Sequence, residues 1–172
     1  MSEPILDPQF WQDRLHIAID REQVHHAIYD APLELWHNVA RKHTEILARH
    51  IQPTDSIFDA GCGWGRLLSM LPSTWTGNYI GMDLSPDFIR IARRAHDGKV
   101  FIIGKLHDSY DIVSALTVNR CAKFDWAVCV SIRQMVRDNT GLWPVIEANL
   151  RSIAKRILIL EYDLEHEGEV LE

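Results

Sequence analysis

The stretch Ile57-Phe58-Asp59-Ala60-Gly61-Cys62-Gly63-Trp64-Gly65-Arg66 decides the fold of this 172-residue chain. Ile57 and Phe58 are strand formers, and Gly61, Gly63 and Gly65 are spaced for a tight turn that opens a helix. Such a turn leaves backbone N–H groups free at the helix N-terminus. Glycine is required there because φ is positive or because a ligand must touch the backbone. The spacing Gly-x-Gly-x-Gly is one residue shorter than the Gly-x-Gly-x-x-Gly fingerprint of dinucleotide sites. An acid, Asp59, stands two residues before the first glycine, where dinucleotide folds usually keep an apolar residue.

The second half of the signal lies 24 residues beyond Asp59. Asn78-Tyr79-Ile80-Gly81-Met82-Asp83 is another short apolar run that ends in an acid. An acid at the tip of a second strand is placed to accept both hydroxyls of a ribose. Ser85-Pro86 then reads as an N-cap and a first helical residue. These two segments, Asp59 to Gly65 and Tyr79 to Arg94, resemble motifs of the class I S-adenosylmethionine-dependent methyltransferases. The resemblance follows the family's element order from about Ser56 to Leu160 and is specific at these two motifs.

Working outward, Asp7-Pro8 reads as a helix start, with Phe10, Trp11 and Leu15 at helical spacing. Asp20 and Gln23 read as a capping pair for a short helix through Val24 to Tyr29. Pro32 opens a longer helix whose Leu35, Trp36, Val39, His43, Ile46 and Leu47 form one stripe. Beyond Pro53 the pattern alternates. Strands are expected near Ser56–Asp59, Asn78–Asp83, Lys99–Ile103, Phe124–Ser131 and Ile157–Leu160. Helices are expected near Gly65–Met70, Pro86–Ala95, Ser109–Val118 and Asn139–Ala154. Such alternation predicts an α/β fold, a Rossmann-like doubly wound parallel sheet with helices on both faces. The class I resemblance implies strand order 3-2-1-4-5. The family continues with a β-hairpin, and the residues left after Leu160 are too few for a complete one. Strand five would then lie near an open edge, which motivates a homodimer.

At this length the chain reads as one domain, 1–172. It divides into an N-terminal helical lid and first core helix (1–52), a cofactor-binding core (53–160) and an acidic tail (161–172). With 47% hydrophobic residues it can bury a core. No apolar run of about 18 residues occurs, which argues against a membrane span. The N-terminus lacks the pattern of a signal peptide. Three cysteines without C-x-x-C spacing fit a reduced cytoplasmic protein with neither disulfide framework nor structural zinc. The net charge of −6 resides in the last twelve residues, which hold six acids and no Lys or Arg; the body balances 18 acids against 18 bases. A neutral body argues against a nucleic-acid substrate.

What the resemblance implies about the site is specific. S-adenosylmethionine carries no phosphate, so Ala60, Gly61, Cys62, Gly63 and Gly65 would let the backbone approach its methionyl part. The helix N-terminus would favour the methionyl carboxylate. Asp59 and loop carbonyls would meet the ammonium, and Asp83 the ribose. Leu84 would cover one adenine face, and Lys105 and Leu106 would reach its edge. Many family members carry an acid near that edge; here Lys105 takes the place, with Asp108 close by. Ser131 to Val136 would border the methyl group, and Met135 stands where some small-molecule methyltransferases have a His.

The acceptor reads as a small molecule. Trp11, Arg133 and Gln134 are candidate substrate contacts, although Arg133 fits a solvated position equally well. His25, His26 and Tyr29 are candidates for a base or substrate contact, since histidine titrates near neutral pH. Taken singly, each fits a packing or surface role better. No histidine pair with a neighbouring acid has ligand spacing, so no metal is expected. Two other readings stand beside the methyltransferase: a cofactor-binding sensor or partner subunit, and an NAD-dependent oxidoreductase. Release of S-adenosylhomocysteine as product separates the first of these, and differential binding of S-adenosylhomocysteine and NAD the second.

Overall fold

A computed structural model describes residues 7–20, 32–119, 123–136 and 141–172. Helix α1 (Pro8–Asp20) starts where Asp7 Oδ1 accepts the Gln9 N–H at 2.9 Å. Helix α2 (Leu33–His50) buries Trp36, Val39, His43, Ile46 and Leu47, while Leu35 of the expected stripe is exposed. The core then alternates through β1 (Ile57–Ala60), α3 (Arg66–Met70), β2 (Tyr79–Asp83), α4 (Pro86–Ala95), β3 (Val100–Ile103), α5 (Ser109–Asn119) and β4 (Phe124–Val130). It continues with α6 (Ile132–Val136), α7 (Leu142–Ile153), β5 (Ala154–Leu160) and β6 (Glu169–Leu171). The expected short helix through Val24 to Tyr29 lies outside the described residues. The start expected for the last helix, near Asn139, also lies outside them.

The sheet has the order β3-β2-β1-β4-β5-β6. The first five strands are parallel and β6 is antiparallel to β5. This is the expected order with one short strand added. β1 is buried at all four residues, as a central parallel strand covered on both faces must be. Alternation sends Phe58 and Ala60 to one face, under α5 and α7, where Ile112, Ile146, Leu150 and Ile153 pack. Ile57 faces the other way, into a cluster with Ile46 and Leu47 of α2 and Ile89 and Ala92 of α4. Leu15 of α1 packs on Phe88 of α4, with Trp11 and Trp64 at the margin.

Two acids of the C-terminal segment turn in toward the body, while Asp163, Glu165, Glu167 and Glu172 are exposed. Glu161 is buried, and Arg133 on α6 holds both Glu161 and Glu169. Lys42 and Arg49 of α2 pair with Glu167. Leu171 lies opposite Ile157 and packs against the core. The β5 edge that motivated a homodimer is therefore covered within the chain by β6. No described helix is long and apolar enough to cross a membrane.

Candidate cofactor site

The site lies beyond the carboxyl ends of the parallel strands, where β1 sits between β2 and β4 and the helices change face. The turn after β1 is tight. Gly61 and Cys62 both donate their N–H to the Met82 carbonyl of β2, and Gly65 donates to the Cys62 carbonyl. Gly61 has φ 73°, and a Cβ there would fall 2.1 Å from Ile132 Cδ1. Gly63 has φ 54°, and a Cβ there would meet nothing within 4 Å, because it would project into the open cleft. One glycine is thus needed for packing against α6 and the other to keep the cleft clear.

The main cleft, about 780 Å³, is lined by Gly61, Gly63, Asp83, Leu84, Gly104, Lys105 and Leu106, with Trp11 at its side. Ile132, Met135, Val136 and Ile146 make the remainder largely apolar. A polar few on an apolar wall is the usual lining of a cofactor pocket. A smaller hollow of about 340 Å³ opens on the other side of the glycine turn, lined by Asp59, Cys62, Arg66 and Ser131. Ala60 and Gly65 line neither: Ala60 is fully buried in the core, and Gly65 packs against His96 and Phe101.

Asp83 is fixed by two backbone donors, Gly63 N–H to Oδ2 and Ser85 N–H to Oδ1, each at 2.8 Å. Each oxygen keeps a second lone pair for a further donor. Burial raises its carboxyl to about 6, against these bonds and that of Leu84. Asp59 is buried, and burial raises it to about 7; the hydrogen bond from Tyr79 opposes the rise, the charge of Asp83 adds to it and that of Arg66 opposes it. Among the described residues neither acid forms an ion pair. Ser131 has φ 65°, unusual for a residue with a side chain, and its buried Oγ has no hydrogen-bond partner among the described residues. Its backbone is held by Leu160, whose carbonyl accepts the Ser131 N–H at 2.6 Å.

Three other expected residues fall elsewhere. Asp108 does not reach the cleft: its Oδ1 accepts the Tyr110 N–H at 2.9 Å and caps α5. Arg133 and Gln134 face a separate hollow of about 540 Å³ with Glu161, Asp163 and His166. There Arg133 Nε donates to Glu161 Oε1 at 3.0 Å, and Gln134 Oε1 accepts the Tyr162 N–H at 3.1 Å. His25, His26 and Tyr29 lie outside the described residues. The five residues of α3 carry little dipole, so positive charge beside the smaller hollow comes from Arg66, which the sequence reading passed over. Among the described residues no three His, Cys, Asp or Glu gather as a metal site.

A family profile described as a methyltransferase domain matches residues 57–148. Among solved structures the chain is similar to a TehB-like SAM-dependent methyltransferase from Corynebacterium glutamicum, at 23% identity and TM-score 0.54 over 74% of this chain and 68% of that one. It is similar also to magnesium protoporphyrin IX methyltransferase from Synechocystis, crystallised with bound SAM, at 18% identity and TM-score 0.52, over 72% of this chain and 56% of that one. A third likeness is to DesVI of Streptomyces venezuelae, at 16% identity and TM-score 0.52, over 71% of this chain and 50% of that one. These likenesses establish the fold, and the chain spans between half and about two thirds of those proteins' length. No curated protein sequence matches the chain. The profile covers more than half of the residues and includes the glycine turn, Asp83 and the strands that carry them, so this chain belongs to the methyltransferase domain family.

Proposed function

We propose that the cleft binds S-adenosyl-L-methionine and that the chain transfers its methyl group to a small-molecule acceptor, leaving S-adenosyl-L-homocysteine. The observation that carries the reading is the pair of acids at the tips of β1 and β2. Asp59 and Asp83 are held in place by neutral donors, lack an ion-pair partner among the described residues, and line adjoining hollows across one glycine turn. An external ammonium and a pair of hydroxyls would complete them. The unpartnered Ser131 Oγ in the same hollow as Asp59 also waits for a polar ligand.

In this reading Asp83 accepts both ribose hydroxyls and Leu84 covers the adenine. Lys105 and Leu106 border its edge, over the apolar floor of Ile132, Met135 and Ile146. Asp59 faces the methionyl ammonium and Arg66 its carboxylate, while Gly61, Cys62 and Gly63 give the backbone access between them. When bound, the cofactor supplies a sulfonium methyl that is already activated. What the protein adds is alignment, worth roughly 7–11 kcal/mol at best. A base is needed only where the acceptor must lose a proton early, and Met135 provides none. Trp11 borders the cleft and is the first acceptor contact to test. Arg133 and Gln134 could reach an acceptor only through their own hollow, and His25, His26 and Tyr29 remain candidates for a base.

Mass spectrometry of the small molecules that copurify tests the reading, followed by an acceptor screen that measures release of S-adenosylhomocysteine. Cofactor bound without turnover over a broad acceptor panel would favour the sensor or partner-subunit reading. Stabilisation by NAD rather than S-adenosylhomocysteine would favour the oxidoreductase.

A further inference from the structure

Tyr79 opens β2 and lies opposite Ile57 of β1, while Gly81 lies opposite Asp59. Tyr79, Gly81, Ile57 and Asp59 therefore share one face of the sheet. Gly81 has no side chain, and a Cβ there would fall 2.8 Å from Cys62 Sγ and 2.9 Å from Phe101. The Tyr79 ring packs edge-on to Phe101, with ring centroids 5.5 Å apart, and extends diagonally past the glycine. Its hydroxyl donates to Asp59 Oδ2 at 2.6 Å, in a fully buried position. Among the described residues this is the only hydrogen bond to that carboxylate. Phenylalanine would pack on the same neighbours; the hydroxyl serves Asp59 alone.

We infer that Tyr79 is a positioning residue for the amino-acid end of the cofactor: its hydroxyl aims the Asp59 carboxylate into the smaller hollow and favours its ionised form there. The inference rests on the cofactor reading above. The other groups facing Asp59 are few. Asp83 at the tip of β2 disfavours its charge, and Arg66 of α3 favours it. The thiols of Cys62 in the turn and Cys129 of β4 stay protonated, since burial first and the Asp59 charge second push both upward. Tyr79 itself is pushed well above its ordinary value, so it remains the donor. A hydrogen bond to the charged form is one of the few ways to keep a buried carboxylate ionised until a cation arrives. Loss of this bond would leave a carboxylate that accepts the methionyl ammonium only at higher pH.

Calorimetric titrations of the full chain between about pH 6 and pH 9 test this, with two probes. S-adenosylhomocysteine carries the amino acid, and 5′-methylthioadenosine lacks it. In the unaltered protein the affinity for S-adenosylhomocysteine should rise through neutral pH with release of a proton, and that for methylthioadenosine, which meets Asp83 but not Asp59, should change only near pH 6 and be flat above it. Tyr79→Phe should move the first profile up by about one pH unit, so that affinity falls about tenfold near pH 6.5 and converges at the alkaline end. Methylthioadenosine should bind the variant as before. An unmoved profile, or equal weakening of both probes at every pH, would mean that Tyr79 only packs. Should that variant fail to fold, Asp59→Asn decides: an unmoved S-adenosylhomocysteine profile in it would mean that Asp59 is not the group Tyr79 positions, and overturns the inference. Binding of neither probe to the unaltered protein would overturn the cofactor reading together with it, whereas normal binding with an unmoved profile overturns this inference alone.

Discussion

The tips of β1 and β2 and the tips of β5 and β6 both carry acids, and the protein treats them in opposite ways. At β5 and β6, Glu161 and Glu169 share the guanidinium of Arg133, and Glu161 Oε2 also accepts the Gln134 N–H at 3.3 Å. Both acids there have an ion-pair partner within the chain. At β1 and β2, Asp59 and Asp83 receive only neutral donors, and burial raises both carboxyls by units of pH. In the proposed reading, a fold that matches acids with arginine but leaves two others without an ion pair beside a cleft holds those two for a ligand. On that reading the paired acids belong to the architecture, and the unpaired ones to the site.

The largest effect should come from filling the space that separates the unmatched acids. Gly63→Val puts a branched side chain into the open cleft at a left-handed backbone position. Binding of S-adenosylhomocysteine should fall at least about 100-fold, roughly 2.7 kcal/mol, with the circular dichroism of the fold retained. Normal binding would show that the cleft is not the cofactor's. Next comes Asp59→Asn, which should stabilise the unliganded protein while weakening the cofactor. The sign follows from linkage. The folded carboxyl titrates near 7, above its unfolded value of 3.8. Its contribution to stability is complete below pH 4 and is lost as pH rises through 7. Above that, asparagine should gain on aspartate by on the order of 2–4 kcal/mol. Denaturant titrations at about pH 5 and pH 8.5 that show no widening gap would mean Asp59 is already compensated.

Asp83→Ala should weaken S-adenosylhomocysteine by about 1–3 kcal/mol, because two hydroxyls lose a charged acceptor. Unchanged affinity in a folded variant, by calorimetry, would sink the ribose assignment. The smallest effect sharpens the other side of the comparison. Arg133→Ala should cost about 1–2 kcal/mol of stability, since Glu161 is left buried without its cation, while S-adenosylhomocysteine affinity stays within about twofold. A large loss of cofactor with stability unchanged would place Arg133 in the site and erase the distinction.

What the sequence disclosed follows the same division. The glycine turn, Asp83 and the Ser85-Pro86 helix start were legible because each is a local pattern of neighbouring residues. Ser85 caps α4 as read, accepting the Phe88 N–H. The parallel sheet was also within reach, because alternating elements restrict the topology, while its order followed from the class I resemblance. The ion pairs of the acids after Leu160 were not legible because their cations are remote. Arg133 lies 28 residues before Glu161, and Lys42 lies 125 before Glu167. Without those partners a run of acids looks solvated. Tyr79 stood within a short apolar run, and its hydroxyl went unnoticed. The signal was the alternation Tyr79, Gly81, Asp83, which places a tyrosine beside a gap on the face that Asp59 shares. Arg66 was missed because it lies inside the expected helix Gly65–Met70, and its place on the wall of a hollow is set by the turn before it and not by a local pattern.

The central claim is that the unmatched acids hold a cofactor with an amino group and a ribose. Calorimetric titration of S-adenosylhomocysteine into the unaltered protein at about pH 8, with NAD as the comparison ligand, tests it most directly. The account predicts saturable one-to-one binding of S-adenosylhomocysteine and no heat from NAD. Saturable binding of NAD with none of S-adenosylhomocysteine would contradict it.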